Sequence, residues 1–223
     1  MVWGELVLAF GNFVLFHSVP LRPPVRGRVE KVTGKAGFTI VYSILSIVLL
    51  GWLLLASGRA PYVQLWPWAA WQSRLAMVIM FVACLLLALG FGRPNPFSFG
   101  GRNNNRFDAQ SPGLVRYTRH PLLLALGFWG GAHVIANGDL AHFLVFASLT
   151  IFAFFGGRII DRRKKREMGE EWFRLKTEVS RQPLLAPRGV TSAVVLRCLA
   201  GVALFASLLH LHPYLFGVSP WTF

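Results

Sequence analysis

Six histidines, His17, His120, His133, His142, His210 and His212, carry most of the chemistry open to this 223-residue chain. Residues 116 to 139, RYTRHPLLLALGFWGGAHVIANGD, are the richest stretch. Arg119-His120-Pro121 opens an apolar run, Trp129 and His133 lie inside it, and Asn137-Gly138-Asp139 closes it. An ionisable side chain at membrane depth is expensive and as a rule faces a bundle interior or a cavity, so His133 is a candidate functional residue. The intramembrane sequence offers no carboxylate pair, Ser-His-Asp set, Cys-His site or HExxH motif, which gives hydrolytic and zinc chemistry little support. Imidazole is a common axial ligand of haem iron, and an apolar macrocycle suits a bundle core. Each histidine also has a plain structural role open to it. His17, followed by Ser18 and Pro20, can cap the first helix. His120 can serve a helix start, and His133 can be a satisfied core residue. His142 can face His133 across a turn, while His210 and His212 fall at the wet outer end of the last helix.

The elements that must position these residues are membrane helices. With 54% hydrophobic and 14% charged residues and 19 phenylalanines, the chain is too apolar for an ordinary soluble domain. Windows of roughly 20 apolar residues predict six transmembrane helices: 2–19, 38–57, 73–92, 121–137, 139–157 and 193–212. The fourth and fifth are short and meet at Asn137-Gly138, so they read as one hairpin. Backbone groups in lipid must be paired within their own segment, which excludes an open sheet, and no alternating strand pattern suggests a barrel. The expected fold is an all-α polytopic bundle over residues 1–223, a single transmembrane domain without internal repeats.

Charge sets the expected topology. Twenty of the 23 lysines and arginines fall in three alternate loops, around 22–35, 93–119 and 158–188. The segment 58–72 and the Asn137-Gly138 turn are nearly free of them. The positive-inside rule then places the basic loops in the cytoplasm and both termini outside, with Trp66, Trp68 and Trp71 at the outer interface. The net charge of +14 thereby reads as topology and contact with anionic headgroups rather than nucleic-acid binding. The N-terminus carries Glu5 rather than a basic n-region, so the first helix is expected to persist in the mature protein. Cys84 and Cys198 sit in separate predicted helices as buried thiols.

Two basic-side segments differ in kind. Residues 93–115, rich in glycine, proline and asparagine, predict an irregular loop, either a plain connector or a lid over a cavity. Residues 158–192 are basic and then amphipathic, with Met168, Trp172, Leu175 and Val179 at helical spacing. That stripe predicts a helix lying on the inner membrane face or closing a site.

Along most of the chain, FHSVPLRPPVRGRV, GRAPYVQLWP, RPNPFSFGG, the 116–139 stretch and FGGRIIDRRKKREMGEEW follow one another in an order that resembles the NnrU family, relatives of the zeta-carotene isomerases. The resemblance implies a bacterial inner-membrane protein associated with nitric oxide metabolism in denitrification. Members of the isomerase branch are b-haem proteins in which an early-helix histidine and a signature-helix histidine are the implicated iron ligands; these match His17 and His133. Arg119, His120 and Trp129 are then expected beside the haem, with Arg119 on a propionate. The chemistry implied is redox, ligand sensing or isomerisation of a lipophilic small molecule. The isomerases' redox-switch cysteine falls at Gly130, a departure that puts that switch, and carotene isomerisation with it, in doubt.

Depth constrains the ligands. His120 and His133 are 13 residues apart, about 20 Å along a helix, so they cannot share one iron, and the expected topology puts His17 nearer the depth of His120. An alternative resemblance exists: RYTRHPLLL followed by GEEWFRLKTEVSRQPLL is similar to the pattern of isoprenylcysteine and phospholipid methyltransferases. There Arg119, His120 and Glu170 or Glu171 would hold S-adenosylmethionine, although Leu122, Leu123, Trp172 and Leu175 depart from that pattern. A noncatalytic membrane assembly factor is a third reading. For the topology, reporter fusions after residue 64 and at the C-terminus should read periplasmic, and fusions near 105 and 175 cytoplasmic; one reversed loop breaks the six-helix arrangement.

Overall fold

A computed structural model describes residues 2–184 and 191–221, leaving 185–190, part of the basic segment, outside the described residues. It contains seven α-helices and two 3₁₀ turns among them: α1 (Val2–Ser18), α2 (Pro23–Arg59), α3 (Ala70–Gly90), α4 (Pro121–Ala136), α5 (Leu140–Met168), α6 (Glu170–Arg181) and α7 (Ser192–Phe216). The fold is an all-helical, polytopic membrane bundle. Four helices, Ala36–Arg59, Ala70–Gly90, Leu140–Met168 and Ser192–Phe216, are long and apolar enough to cross a bilayer. A fifth candidate is the pair Trp3–Ser18 and Pro23–Gly34, bent by 76°. At 16 residues, α4 is about 24 Å long, less than a hydrocarbon core of about 30 Å. Six full-length crossings are therefore not all present as straight helices.

Helix ends also differ from the sequence expectation, each for a local reason. The first basic loop is helical from Pro23, where two prolines occupy the first turn; proline is favoured there because that amide has no partner to lose. Arg26 pairs with Glu30 one turn on (2.8 Å), and the helix kinks at Gly34, whose φ is 71°. The fifth helix passes residue 157 and continues through the basic run to Met168. Arg163 and Lys164 both pair with Glu167 there (3.5 and 2.9 Å).

The chain forms two compact units. One comprises the residues up to Pro67 together with Asn137–Val145, and the other Trp68–Ala136 together with the chain from Phe146. In the first, α1 packs on α2, and the Tyr42 hydroxyl donates to the carbonyl of His17 (3.0 Å). The Asn137-Gly138 turn is tied to residues 63–66 of the same unit: Gly138 O accepts from Leu65 N (2.7 Å) and Trp66 N (3.2 Å), and Leu140 N donates to Val63 O (2.9 Å). A Cβ on residue 138 would collide with Trp66 O, which is the reason glycine stands there.

In the second unit α3 packs against both α4 and α7. Arg197 of α7 donates to the carbonyls of Ala88 and Phe91 (2.8 Å each), placing a cation on the orphan carbonyls that end α3. A small core joins the 93–115 loop to α6: Phe97, Ala109, Val115, Trp172 and Val179 are buried, with Met168 and Leu175 packed against them. The apolar stripe of α6 is thus covered by the loop. Phe173, off that stripe, is half exposed. Loop and helix are further tied by Arg116 Nε donating to Gln182 O (2.6 Å) and by the Tyr117 hydroxyl donating to Leu184 O. The loop is therefore a packed element rather than a plain connector. Removing the 1%-exposed Trp172 indole by Trp172→Ala should cost about 3–5 kcal/mol. In detergent the variant should show a lowered thermal midpoint and new protease cleavage within 93–115.

Candidate functional site

The second unit holds two histidine environments with opposite chemistry. His120 immediately precedes α4. Its Nε2 lies 3.1 Å from Asp161 Oδ1 and its Nδ1 3.0 Å from Ser98 Oγ. A carboxylate can only accept, so Nε2 carries the proton and donates to Asp161, while Nδ1 accepts from the Ser98 hydroxyl. Arg119 grips the same carboxylate through two nitrogens, Nη2 to Oδ2 at 2.7 Å and Nε to Oδ1 at 3.3 Å, the forked geometry that guanidinium suits. The cation also lies over the Trp172 ring at 5.7 Å. Burial holds the His120 imidazole below its ordinary value; the Asp161 carboxylate opposes that shift and the Arg119 charge adds to it.

Sequence order alone gives no sign of this cluster, because Ser98, His120 and Asp161 come from three segments. Two quieter signals point to it. Asp161 is the one acid within Arg158–Arg166, and Gly157 stands one turn before it on the same face. A Cβ at 157 would approach His120 Cδ2 to 2.9 Å, so glycine there makes room for the imidazole. Asn95 completes the seat: its side-chain NH₂ donates to Arg119 O (2.9 Å) and its Oδ1 accepts from Phe97 N (3.1 Å).

Ser98, His120 and Asp161 have the connectivity of a nucleophile, base and orienting carboxylate. Ser98, however, is only 4% exposed. The neighbouring cavity of about 280 Å³ is lined by Asn95, Arg93, Arg106 and Pro121 among others, but not by Ser98 or His120. The arrangement is that of a satisfied polar joint holding the start of α4 to α5. It engages Arg119 and His120, two of the residues that the methyltransferase resemblance assigns to S-adenosylmethionine. On α6, Glu171 faces outward and pairs with Arg174 (2.6 Å).

His133 sits inside α4. Its Nδ1 lies 2.8 Å from the carbonyl of Trp129, an acceptor, so Nδ1 carries the proton and the lone pair of the neutral ring is on Nε2. The ring stacks on Phe146 (centroids 4.6 Å, 26°) and lies 5.3 Å from the Trp129 ring. At Gly130 a Cβ would collide with Thr150 Oγ1 and approach Phe146 O to 3.2 Å. Helices α4 and α5 therefore meet where the isomerases' cysteine would need space.

The other histidines are placed as follows. In the first unit His17 stacks with Phe13 (5.2 Å) and lies 5.6 Å from Tyr42. The His142 Nδ1 bonds the Asp139 carboxylate (2.8 Å), which also accepts the His142 backbone amide (3.1 Å) and so caps the start of α5. In the second unit the rings of His133 and His212 lie 6.5 Å apart. Arg119 and His120 are thus brought together, as are Trp129 and His133, but His120 and His133 belong to separate environments. Among the described residues no group of three or more His, Cys, Asp or Glu side chains could hold a metal ion.

Among known proteins, a family model described as NnrU protein matches residues 5–220. No curated protein and no solved structure matches the chain.

Two measurements test the polar joint. Asp161→Ala leaves the Arg119 guanidinium and the His120 N–H without their acceptor, and should cost about 2 kcal/mol after discounting the fully buried range for the one-third exposure of Arg119. Because burial lowers the folded-state value of His120, its stabilising contribution is present above the ordinary imidazole range and is lost as pH falls below it. The thermal midpoint of the wild type, relative to His120→Gln, should therefore drop on acidification through about pH 6.5; parallel curves would show that His120 does not titrate there.

Proposed function

Since the chain belongs to the NnrU family, we propose that it is a b-haem-binding membrane protein serving nitrogen-oxide metabolism, with His133 as an iron ligand. The observation that carries this reading is the lock on His133. Histidines that ligate metals nearly always donate their other ring N–H to a carbonyl or carboxylate, which fixes the tautomer and the ring direction. The Trp129 carbonyl does this for His133 at 2.8 Å, and stacking on Phe146 holds the ring plane. His120 is the contrasting case. Its N–H goes to Asp161 and its lone-pair nitrogen accepts from Ser98, so its tautomer is the opposite one. The donor set suits the group, because imidazole nitrogen binds iron well and aromatic walls suit a macrocycle.

When bound, haem iron supplies one-electron chemistry or a site for a small diatomic ligand. The chain's own share is to hold the imidazole, exclude water with Trp129 and Phe146, and present an apolar surface to lipid. Arg119 is one-third exposed and holds Asp161, about 20 Å along the helix from His133, so it takes no part in holding the group there. The family relation suggests redox or isomerase chemistry on a lipophilic substrate as the activity. The tight α4–α5 contact at Gly130 weighs against the cysteine-based switch of the isomerases.

The test is spectroscopic. Protein purified from haem-supplemented cells should show a b-type Soret band, and His133→Ala should lose or shift it. His120→Ala should keep the band while lowering stability. Folded, colourless protein that takes up no haemin overturns the reading.

A further inference from the structure

We infer that the cavity between the end of α3 and the 93–115 loop binds a phosphate group, held by Arg93 and Arg106. The site lies within the second compact unit and does not depend on the haem reading.

Size and lining set the class of ligand. At about 280 Å³ the cavity is at the small end for small-molecule sites, which suits a lipid headgroup or a small phosphate ester rather than a whole lipid. Leu89, Phe107, Pro112 and Leu114 contribute apolar surface, while Arg93, Arg106 and Ser111 bring donors. Guanidinium matches phosphate because its planar fork donates two parallel hydrogen bonds.

Charge singles out those two arginines. The 93–119 stretch carries five arginines and one acid, Asp108. Arg116 is engaged by Gln182 O and Arg119 by Asp161. Asp108 also lines the cavity, but its Oδ1 accepts from Gln110 N (2.9 Å), and among the described residues it forms no ion pair with Arg93 or Arg106. Two guanidiniums against one carboxylate leave an excess of positive charge there.

Position aims that charge inward. Arg93 leaves the end of α3, and its Nη1 lies 3.6 Å from where a Cβ on Gly113 would stand, so the guanidinium reaches the turn between Pro112 and Leu114 of the lining. The adjacent helix ends also favour an anion. Helix α4 opens at Pro121, a lining residue, and so turns the positive end of its dipole toward the cavity. The opposing negative end of α3 is already covered by Arg197 on the carbonyls of Ala88 and Phe91. Leu89 and Gly90 end a helix long and apolar enough to cross a bilayer. The cavity therefore lies where a span leaves the hydrocarbon, at the level of headgroup phosphates.

The experiment uses the full chain in a neutral detergent at fixed ionic strength. Phosphatidylglycerol and diacylglycerol are titrated and retained lipid is counted by native mass spectrometry; glycerol 3-phosphate and inorganic phosphate are titrated by calorimetry. The wild type is compared with Arg93→Gln/Arg106→Gln and with Arg162→Gln/Arg166→Gln, which removes two exposed cations of α5 that do not line the cavity. One saturable phosphate-bearing ligand per chain is expected in the wild type and the α5 variant, weakened roughly ten-fold or more in the cavity variant. Saturation by phosphatidylglycerol alone identifies a lipid headgroup, and saturation by the soluble phosphates identifies a free ester or ion. If the double cavity variant does not fold, Arg106→Gln alone, at an exposed position, and Ser111→Glu, which adds a carboxylate to the lining, must each weaken the same binding. Equal losses in the cavity and α5 variants, equal retention of diacylglycerol and phosphatidylglycerol, or no saturable binding of any phosphate overturns the inference.

Discussion

The Asp161 carboxylate is the interaction on which the second compact unit depends. It accepts from both Arg119 and His120, and the segment carrying those residues is also held by Asn95 of the loop. One acid in a basic run thereby fixes where α4 begins, against which turn of α5 it rests, and how the loop folds onto α6. Net attraction alone does not explain this. A partly buried ion pair gains little over the water it displaces unless its remaining hydrogen-bonding capacity is filled. Here Ser98 fills the last position on His120, and Trp172 lies under the Arg119 cation.

Two histidines 13 residues apart in sequence end in opposite protonation patterns, and the difference follows from their acceptors. At the helix mouth a carboxylate draws the proton to Nε2 of His120. Inside α4 the carbonyl one turn earlier draws it to Nδ1 of His133, an acceptor supplied by the helix itself. A structural histidine and a ligand candidate thus come from one residue type in one motif. Neighbouring geometry limits what else the motif can do: Thr150 and Phe146 crowd Gly130, and the Ser98 hydroxyl is buried beneath its loop.

By itself the sequence determined the class of the protein, because the length of apolar runs and the requirement to pair every backbone group in lipid admit few solutions. Helix positions followed from those runs. The bends and extensions did not, since the kink at Gly34 and the continuation of α5 to Met168 depend on local charge pairs and glycine conformation rather than on hydropathy. The α6 stripe was legible as periodicity, but what covers it was not: an apolar face looks the same whether a bilayer or Phe97 and Val115 lie against it. Likewise His133 stood out as an ionisable group in an apolar run, whereas its relation to His212, 79 positions later, left no trace in spacing. Only the tertiary structure decided that Asp161 meets His120 and that His212 meets His133, because each contact is made across packed helices and sequence separation carries no information about that distance.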